Sequence, residues 1–172
     1  LVLLGRLMRL DRPIGTYLLL WPALWALWLS SNGKPSPDLL IVFCVGVFLT
    51  RSAGCVINDF ADREFDAHVR RTRDRPLTTG ELSAFEALIL FALLALLALS
   101  LLFFLNPLAR WLAVIGGVLL VTYPLFKRFF PLPQAYLGMA FTWSVPMVYA
   151  AQTGEVPQVA WLVFMAGLLW TV

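Results

Sequence analysis

Carboxylate and amide side chains recur with a regular spacing in the stretch "NDFADREFD", which begins at Asn58. Asp59, Asp62 and Asp66 are three and then four residues apart. In a helix, at about 100° per residue, these three carboxylates lie within about 60° of one another on one face. Like charges so placed repel one another, and a bound cation reverses that balance. We therefore expect the three aspartates to hold a metal ion.

The types of these ligands favour Mg²⁺ bound together with a phosphate-bearing substrate. Mg²⁺ is usually held by one or two carboxylates together with waters and substrate phosphates. Arginine grips phosphate oxygens bidentately. Five arginines lie within the motif or shortly after it: Arg63, Arg70, Arg71, Arg73 and Arg75. Carboxylates on one side and guanidinium groups on the other suit a diphosphate bound as its Mg²⁺ complex.

Part of this basic cluster has a second explanation. Lys and Arg accumulate in the cytoplasmic connections of membrane proteins whatever their function, and Arg70 and Arg73 are open to that interpretation. Acidic residues contribute little to membrane orientation. The aspartates are therefore not explained in this way.

Arg51 lies seven residues before Asn58, so it projects from nearly the same helix face about two turns deeper. A charged residue inside a membrane span costs about 2.5–3.5 kcal/mol and normally faces a polar cavity with a partner. The position predicts a site for an anionic second substrate. The alternative is that Arg51 reaches the interface or pairs with an acid.

The later stretch "TYPLFKRFFPLPQ" adds Tyr123, Lys127 and Arg128. Tyr123 and Lys127 are four residues apart, so they can offer a hydroxyl and an ammonium to the same anion. An aromatic residue beside a basic pair is equally typical of an anchor at the membrane interface. Both interpretations stay open.

Three tryptophans, Trp21, Trp25 and Trp28, share one face of a predicted first helix. Such a stripe is typical of packing or lipid contact. A more specific alternative is that the ring faces stabilise a cationic intermediate.

The elements that position these residues are apolar helices. Hydrophobic residues make up 60% of the chain and charged residues 13%, against about 25% charged in soluble domains. The pattern lacks the alternation of barrel strands, which predicts an all-α, multi-pass transmembrane bundle. Pro22 and Pro146 would each kink a helix. Six apolar stretches are long enough, or nearly so, to span a bilayer: 14–31, 39–57, 82–105, 107–126, 134–151 and 156–172.

The distribution of basic residues predicts the orientation. Ten of the thirteen Lys and Arg residues lie in the N-terminal segment and in the connections after the second and fourth stretches. These regions are predicted to be cytoplasmic. Because the basic residues sit between apolar runs, no nucleic-acid partner is expected. The last stretch reaches residue 172 without a cap or flanking charge, which predicts that the chain is part of a longer protein.

The motif "NDFADREFD" resembles the N-D-x-x-D-x-x-x-D motif of the UbiA superfamily of intramembrane prenyltransferases. The stretches "RLMRLDRPIGTYLLLWPALWALW" and "YPLFKRFFPLPQAYLGMAFTWSVPM" extend the resemblance over essentially the whole chain and favour the branch acting on 4-hydroxybenzoate. The resemblance implies one all-helical domain over 1–172, with six of about nine transmembrane helices around a central cavity. The remaining helices and a second Asp-rich motif would lie beyond it.

The resemblance also implies a reaction and its site. Family members join a polyprenyl diphosphate to an aromatic ring with Mg²⁺, here 4-hydroxybenzoate in ubiquinone synthesis at the bacterial inner membrane. Arg51 would face the carboxylate of that acceptor. The first metal and catalytic motif would be Asn58, Asp59, Asp62 and Asp66. Contacts to the diphosphate or its surroundings would come from Arg63, Arg71, Arg75, Tyr123, Lys127 and Arg128.

Other functions compete with this one. A prenyltransferase of the menaquinone, homogentisate or haem pathways would share the aspartates. The D-G-x-x-A-R start of the CDP-alcohol phosphotransferase signature is absent from the sequence. A divalent-cation transporter could use clustered acids, but transporter sites tend to lie near the bilayer midplane. These acids instead lie at a helix end beside arginines that would repel a bare cation.

Overall fold

The computed structural model describes residues 2–70, 72–126, 129 and 131–172, and it confirms the predicted all-α class. A short 3₁₀ segment, Leu101–Phe104, directly extends the fourth helix. The eight α-helices are α1 (Val2–Leu7), α2 (Ile14–Ser30), α3 (Pro37–Asp66), α4 (Ala84–Ser100), α5 (Pro107–Phe126), α6 (Pro133–Thr142), α7 (Ser144–Thr153) and α8 (Gln158–Thr171).

Helix α3 carries the predicted site and is the longest element. Pro37 lies in its first turn, where a missing backbone N–H costs nothing. The helix then runs for 30 residues to Asp66, well past the apolar stretch 39–57. The carboxylate motif is therefore the last part of this helix, which meets the condition under which its spacing places the three carboxylates on one face.

The fifth apolar stretch, 134–151, is divided between α6 and α7 at Trp143. Pro146 has no N–H to donate to the carbonyl of Thr142, so one helical hydrogen bond cannot form there. The sequence predicted a kink at Pro146, and the structure has a division into two helices three residues before it. By contrast, α2 continues across Pro22 as one helix.

Three elements of the described chain are long and apolar enough to cross a membrane: α3, α4 with its 3₁₀ extension, and α5. Helices α2 and α8 are apolar but shorter, at 17 and 14 residues. The chain is thus an integral membrane protein. For α2, α8 and the divided α6–α7 segment, the predicted crossing stays a prediction.

Helix α3 contributes residues to two buried hydrophobic clusters and so joins the helices that form them. Small residues such as Ala23 and Ala26 let helices approach closely. In the second cluster, Leu7 of α1 is fully buried against α3 and α4. That cluster consists of Leu7, Leu49, Ala53, Val56, Leu82, Ala87 and Leu94. The short helix α1 is thereby fixed beside the middle and C-terminal part of α3.

Candidate active site

A cavity of about 810 Å³ lies between α3 and its neighbours, with further walls from α2, α4, α5, α6 and α7. This volume is within the usual range for small-molecule sites. Most of the lining is apolar. The polar and charged lining residues include Arg9, Thr50, Arg51, Asn58, Asp59, Asp62, Asp66, Thr72, Arg75, Tyr123 and Ser144.

The four residues of the carboxylate motif all face this cavity. Asp59, Asp62 and Asp66 are only 2%, 9% and 7% exposed, and Asn58 lines the cavity beside them. Acidic residues are almost never so buried unless they are paired. The helical face predicted from their spacing is therefore also an inward-facing one.

Two guanidinium groups pair with two of these buried acids, Asp59 and Asp66. Arg9 Nη2 donates to both carboxylate oxygens of Asp59, at 2.9 and 2.7 Å. Arg75 Nη1 donates to Asp59 Oδ1 at 2.8 Å and to Asp66 Oδ2 at 2.5 Å. Such charge-assisted hydrogen bonds are stronger than neutral ones. Together they offset the repulsion between Asp59 and Asp66.

Arg9 is positioned by an unusual backbone conformation just after α1. Its φ angle is 61°, in the left-handed region that residues other than glycine seldom adopt. The N–H of Leu10 donates to Gly5 O at 2.9 Å across this turn. With Leu7 anchored in the core, the turn directs the Arg9 side chain towards α3.

Arg75 is positioned by the connection between α3 and α4. The buried hydroxyl of Thr72 donates to the carbonyl of Asp66 at 3.1 Å, which folds the connection back onto the end of α3. Arg6 Nη2 donates to Asp74 O at 3.2 Å and so ties the α1 segment to the same connection. The N-terminal segment and this connection therefore cover one end of α3 together.

The carboxylate and amide groups of the motif suit Mg²⁺ that is also bound by the substrate. Carboxylate and amide oxygens are suitable ligands for it. Among the described residues, however, no three His, Cys, Asp or Glu side chains are grouped closely enough to hold a metal ion. Asp59 and Asp66 are instead engaged with arginines. The arrangement suits Mg²⁺ shared between one or two carboxylates and substrate phosphates, rather than a cage of protein ligands alone.

Arg51 lines the same cavity from the middle of α3, beside the first turn of α2. In the part of the chain that the structure describes, no carboxylate forms an ion pair with it; the buried pairs there involve Arg9 and Arg75. The predicted alternative of pairing with an acid is thus not observed. A guanidinium group facing a largely apolar cavity is left able to receive an anion.

The other predicted diphosphate contacts divide into three groups. Tyr123 lines the cavity and stacks on Tyr136, with ring centroids 6.4 Å apart. Arg71, Lys127 and Arg128 lie outside the described residues, so their roles stay predictions.

Arg63, the remaining member of that set, is not among the described residues that line the cavity. Its guanidinium group donates to Phe60 O at 3.0 Å, lies 4.7 Å from the centre of the Phe60 ring and approaches Glu64 at 3.4 Å. Arg70 is exposed and Arg73 pairs with Asp74, as expected for solvated loop residues.

The tryptophan stripe lies on the outside of the described bundle. Trp21, Trp25 and Trp28 are 54%, 51% and 46% exposed, and the cavity lining described above does not include them. This favours packing or lipid contact over a role in stabilising a cation inside the cavity.

Arg9 is the site residue that sequence reasoning missed. In the sequence it is one of three arginines in a basic N-terminal segment, where it serves as an orientation signal. Its partner Asp59 is fifty residues away. No local periodicity links positions so far apart.

Comparison with known proteins agrees with this architecture and motif. Residues 19–172 match the model of the UbiA prenyltransferase family. The chain belongs to the UbiA prenyltransferase family. The resemblance carried by the Asp-rich motif is thereby confirmed.

Curated relatives within the UbiA family are similar over almost the whole chain. The 4-hydroxybenzoate octaprenyltransferase of Nitrosococcus oceani is 59% identical over 170 residues, which is 99% of this chain and 60% of that protein. The enzyme of the same name from Cupriavidus pinatubonensis is 54% identical over 172 residues, or 100% of this chain and 60% of that protein. The chain spans about 60% of the length of these relatives.

Solved structures of UbiA-type proteins share the fold. A structure described as digeranylgeranylglyceryl phosphate synthase superimposes with a TM-score of 0.77 at 26% identity, covering 98% of this chain and 58% of that one. The apo structure of a UbiA homolog from Aeropyrum pernix K1 gives a TM-score of 0.76 at 26% identity, covering 91% and 59%.

Proposed function

We propose that the full-length gene product transfers a polyprenyl group from polyprenyl diphosphate to the carbon ortho to the hydroxyl of 4-hydroxybenzoate, with Mg²⁺ and with release of diphosphate. This reaction serves ubiquinone biosynthesis. One observation carries the proposal: a single cavity contains both the buried carboxylates and a guanidinium group, Arg51, that no described carboxylate neutralises. The names of relatives 54–59% identical to the chain supply the substrate class.

The carboxylate end of the cavity is proposed to bind the diphosphate. Asn58, Asp59, Asp62 and Asp66 would hold Mg²⁺, which when bound neutralises charge on the departing diphosphate. Arg9 and Arg75 already lie against these carboxylates, so each can turn a donor towards a phosphate oxygen. Tyr123, Arg71, Lys127 and Arg128 are proposed as further contacts.

The Arg51 end is proposed to bind the acceptor. A guanidinium group pairs bidentately with a carboxylate, so Arg51 would fix the 4-hydroxybenzoate ring in one orientation. Arg51 lies in the same helix as the aspartates and faces the same cavity. The acceptor ring would therefore lie deeper in the membrane than the diphosphate, beside the reactive end of the polyprenyl chain.

The proposed reaction exchanges one carbon–oxygen bond for one carbon–carbon bond. The allylic C–O bond breaks and its electron pair leaves with the diphosphate. The electron-rich ortho carbon bonds to the allylic carbon, and the ring then loses the proton from that position. Apolar walls around the site keep water from capturing the allylic cation first.

The proposed setting is the bacterial inner membrane, with the carboxylate end cytoplasmic. The basic N-terminal segment and the α3–α4 connection lie together at one end of α3: Arg6 bonds the Asp74 carbonyl of the connection, and Arg9 bonds Asp59 of α3. Their shared excess of positive charge is what supports the cytoplasmic side. The membrane lets the long polyprenyl tail remain in apolar surroundings.

A panel of acceptors tests the proposal. The full-length gene product in membranes would be given polyprenyl diphosphate and Mg²⁺ with 4-hydroxybenzoate, homogentisate or a naphthoate acceptor. We expect transfer to 4-hydroxybenzoate, at the ortho carbon by mass spectrometry and NMR of the product. Transfer only to another acceptor would assign the chain to a different branch of the family. Absence of transfer to any acceptor would overturn the proposed reaction.

A further inference from the structure

Gly15 and Arg51 are in direct contact where α2 crosses α3. Gly15 is the second residue of α2 and is buried. A Cβ atom placed on it would lie 2.8 Å from both Cζ and Nε of Arg51, and closer still to Nη2. Carbon atoms in ordinary contact are about 3.5–4.0 Å apart. The Arg51 guanidinium group therefore occupies the space that a side chain at residue 15 would fill.

The close contact between the Arg51 guanidinium group and Gly15 is explained by shape rather than by charge attraction. The N-terminal end of a helix carries partial positive charge, and the first turn of α2 has no acidic residue to offset it. The guanidinium group thus gains no attraction from α2. It lies there because Gly15 leaves room, and it remains within the cavity lining beside Thr50 and Gly54.

We propose that Gly15 is a positioning residue that sets the location of Arg51 and so selects an acceptor bearing a carboxylate. The inference rests on the proposed function, in which Arg51 binds that carboxylate. Gly15 itself contacts no substrate. Its contribution is the absence of a side chain where the Arg51 head lies against the first turn of α2.

The effect of a methyl group at this position follows from which partner can move. The Arg51 head is the far end of a flexible side chain, whereas the α2 backbone is held by the core residues Ala23, Ala26 and Leu27. In Gly15→Ala, Arg51 must move by roughly 1 Å to restore ordinary contact distances. Alanine is the better helix former, so helix propensity does not oppose the change.

The experiment compares substrate dependence in the full-length gene product. KM and kcat would be measured for 4-hydroxybenzoate and for polyprenyl diphosphate in the wild type, Gly15→Ala, Arg51→Ala and the double variant. In Gly15→Ala we expect the KM for 4-hydroxybenzoate to rise roughly 10- to 100-fold, the range for losing a hydrogen bond to a charged group. The KM for polyprenyl diphosphate should be unchanged.

Two controls make the result specific. Gly5→Ala also adds a methyl group to a helical glycine, but its nearest neighbour, Leu10 Cδ1, is 3.6 Å away, an ordinary contact. We expect both KM values to stay at the wild-type level in that variant. The double variant of residues 15 and 51 should be no worse than Arg51→Ala alone, because both changes act on one interaction.

The outcomes separate this inference from the proposed function. If Arg51→Ala raises the KM for 4-hydroxybenzoate but Gly15→Ala does not, the role of Gly15 is overturned and the acceptor site stands. An equal rise for both substrates in Gly15→Ala also overturns it. If Arg51→Ala leaves the KM for 4-hydroxybenzoate unchanged, the acceptor assignment fails, and the inference fails with it.

Discussion

The Nη2 atom of Arg9 bonds both carboxylate oxygens of Asp59, joining the N-terminal segment to the end of α3. Asp59 is 2% exposed and the Arg9 side chain 22%. Arg75, from the α3–α4 connection, pairs with the same carboxylate. The segment after α1 therefore forms part of the wall of the site.

Replacing Arg9 should destabilise the protein. Arg9→Gln leaves the buried Asp59 with Arg75 as its remaining described ion-pair partner, and we expect a loss of about 1–3 kcal/mol in the free energy of unfolding. Thermal denaturation in detergent measures this loss. Arg12→Gln is the matched control, since the Arg12 side chain is 75% exposed and its ion-pair partner among the described residues is the neighbouring Asp11. Equal melting temperatures for both variants would contradict a structural role for the Arg9–Asp59 pair.

Replacing a motif carboxylate should abolish transfer without unfolding the bundle. Asp62→Asn keeps the size of a buried side chain and removes its charge. We expect the rate of Mg²⁺-dependent transfer to fall by at least about 100-fold, a typical effect of losing one electrostatic contact in a transition state. Asp74→Asn removes a carboxylate that is 80% exposed and should leave the rate intact. Normal turnover by the Asp62 variant would argue against the proposed metal site.

Mg²⁺ and diphosphate should stabilise the protein together rather than separately. Arginines already occupy Asp59 and Asp66, and no described trio of acidic or other metal-binding side chains forms a cage. In the absence of diphosphate, few carboxylate oxygens are therefore available to coordinate Mg²⁺. We expect the melting temperature to rise with Mg²⁺ plus inorganic diphosphate, by mass action on the folded state, and to stay constant with either alone. A full rise with Mg²⁺ alone would indicate a protein-only metal cage instead.

Trp143 should stabilise the interruption between α6 and α7. Its indole N–H donates to Leu112 O of α5 at 2.8 Å, and its ring meets Trp161 and Phe164 edge to face. Trp143→Phe removes the hydrogen bond and keeps an aromatic ring, so we expect a loss of about 1 kcal/mol in the free energy of unfolding.

The control for that variant is Trp111→Phe, because Trp111 is 71% exposed on α5. Both proteins would be compared by thermal denaturation in the same detergent. A larger loss at residue 111 than at residue 143 would count against the proposed role of the indole hydrogen bond.

Sequence periodicity was sufficient for relationships within one helix. Asp59, Asp62, Asp66 and Arg51 could be assigned to one face because all four lie on α3, where angular positions follow from residue number. A kink near Pro146 was predictable for a similar reason, since proline removes a specific local hydrogen bond. These parts of the fold and site depend on short-range geometry.

The relationships that sequence could not supply depend on contacts between distant segments. Arg9 reaches Asp59 only because Leu7 docks in a core formed by α3 and α4. Arg63 lies within the motif and was predicted to contact the diphosphate, but its side chain instead contacts the carbonyl and ring of Phe60. Such competition between partners is decided by packing, and spacing alone does not reveal it.

The continuity of α3 fixes both the distance and the angle between the two charged ends of the cavity. Arg51 and Asp62 are eleven residues apart on one unbroken helix, so their backbones are separated by roughly 16 Å along its axis. The helix therefore sets the separation between the two charged ends of the cavity. An insertion of one residue between them would lengthen it by only about 1.5 Å but swing one end by about 100°. The angle between Arg51 and Asp62 around the helix axis, more than the distance between them, is therefore what evolution has to preserve in this segment.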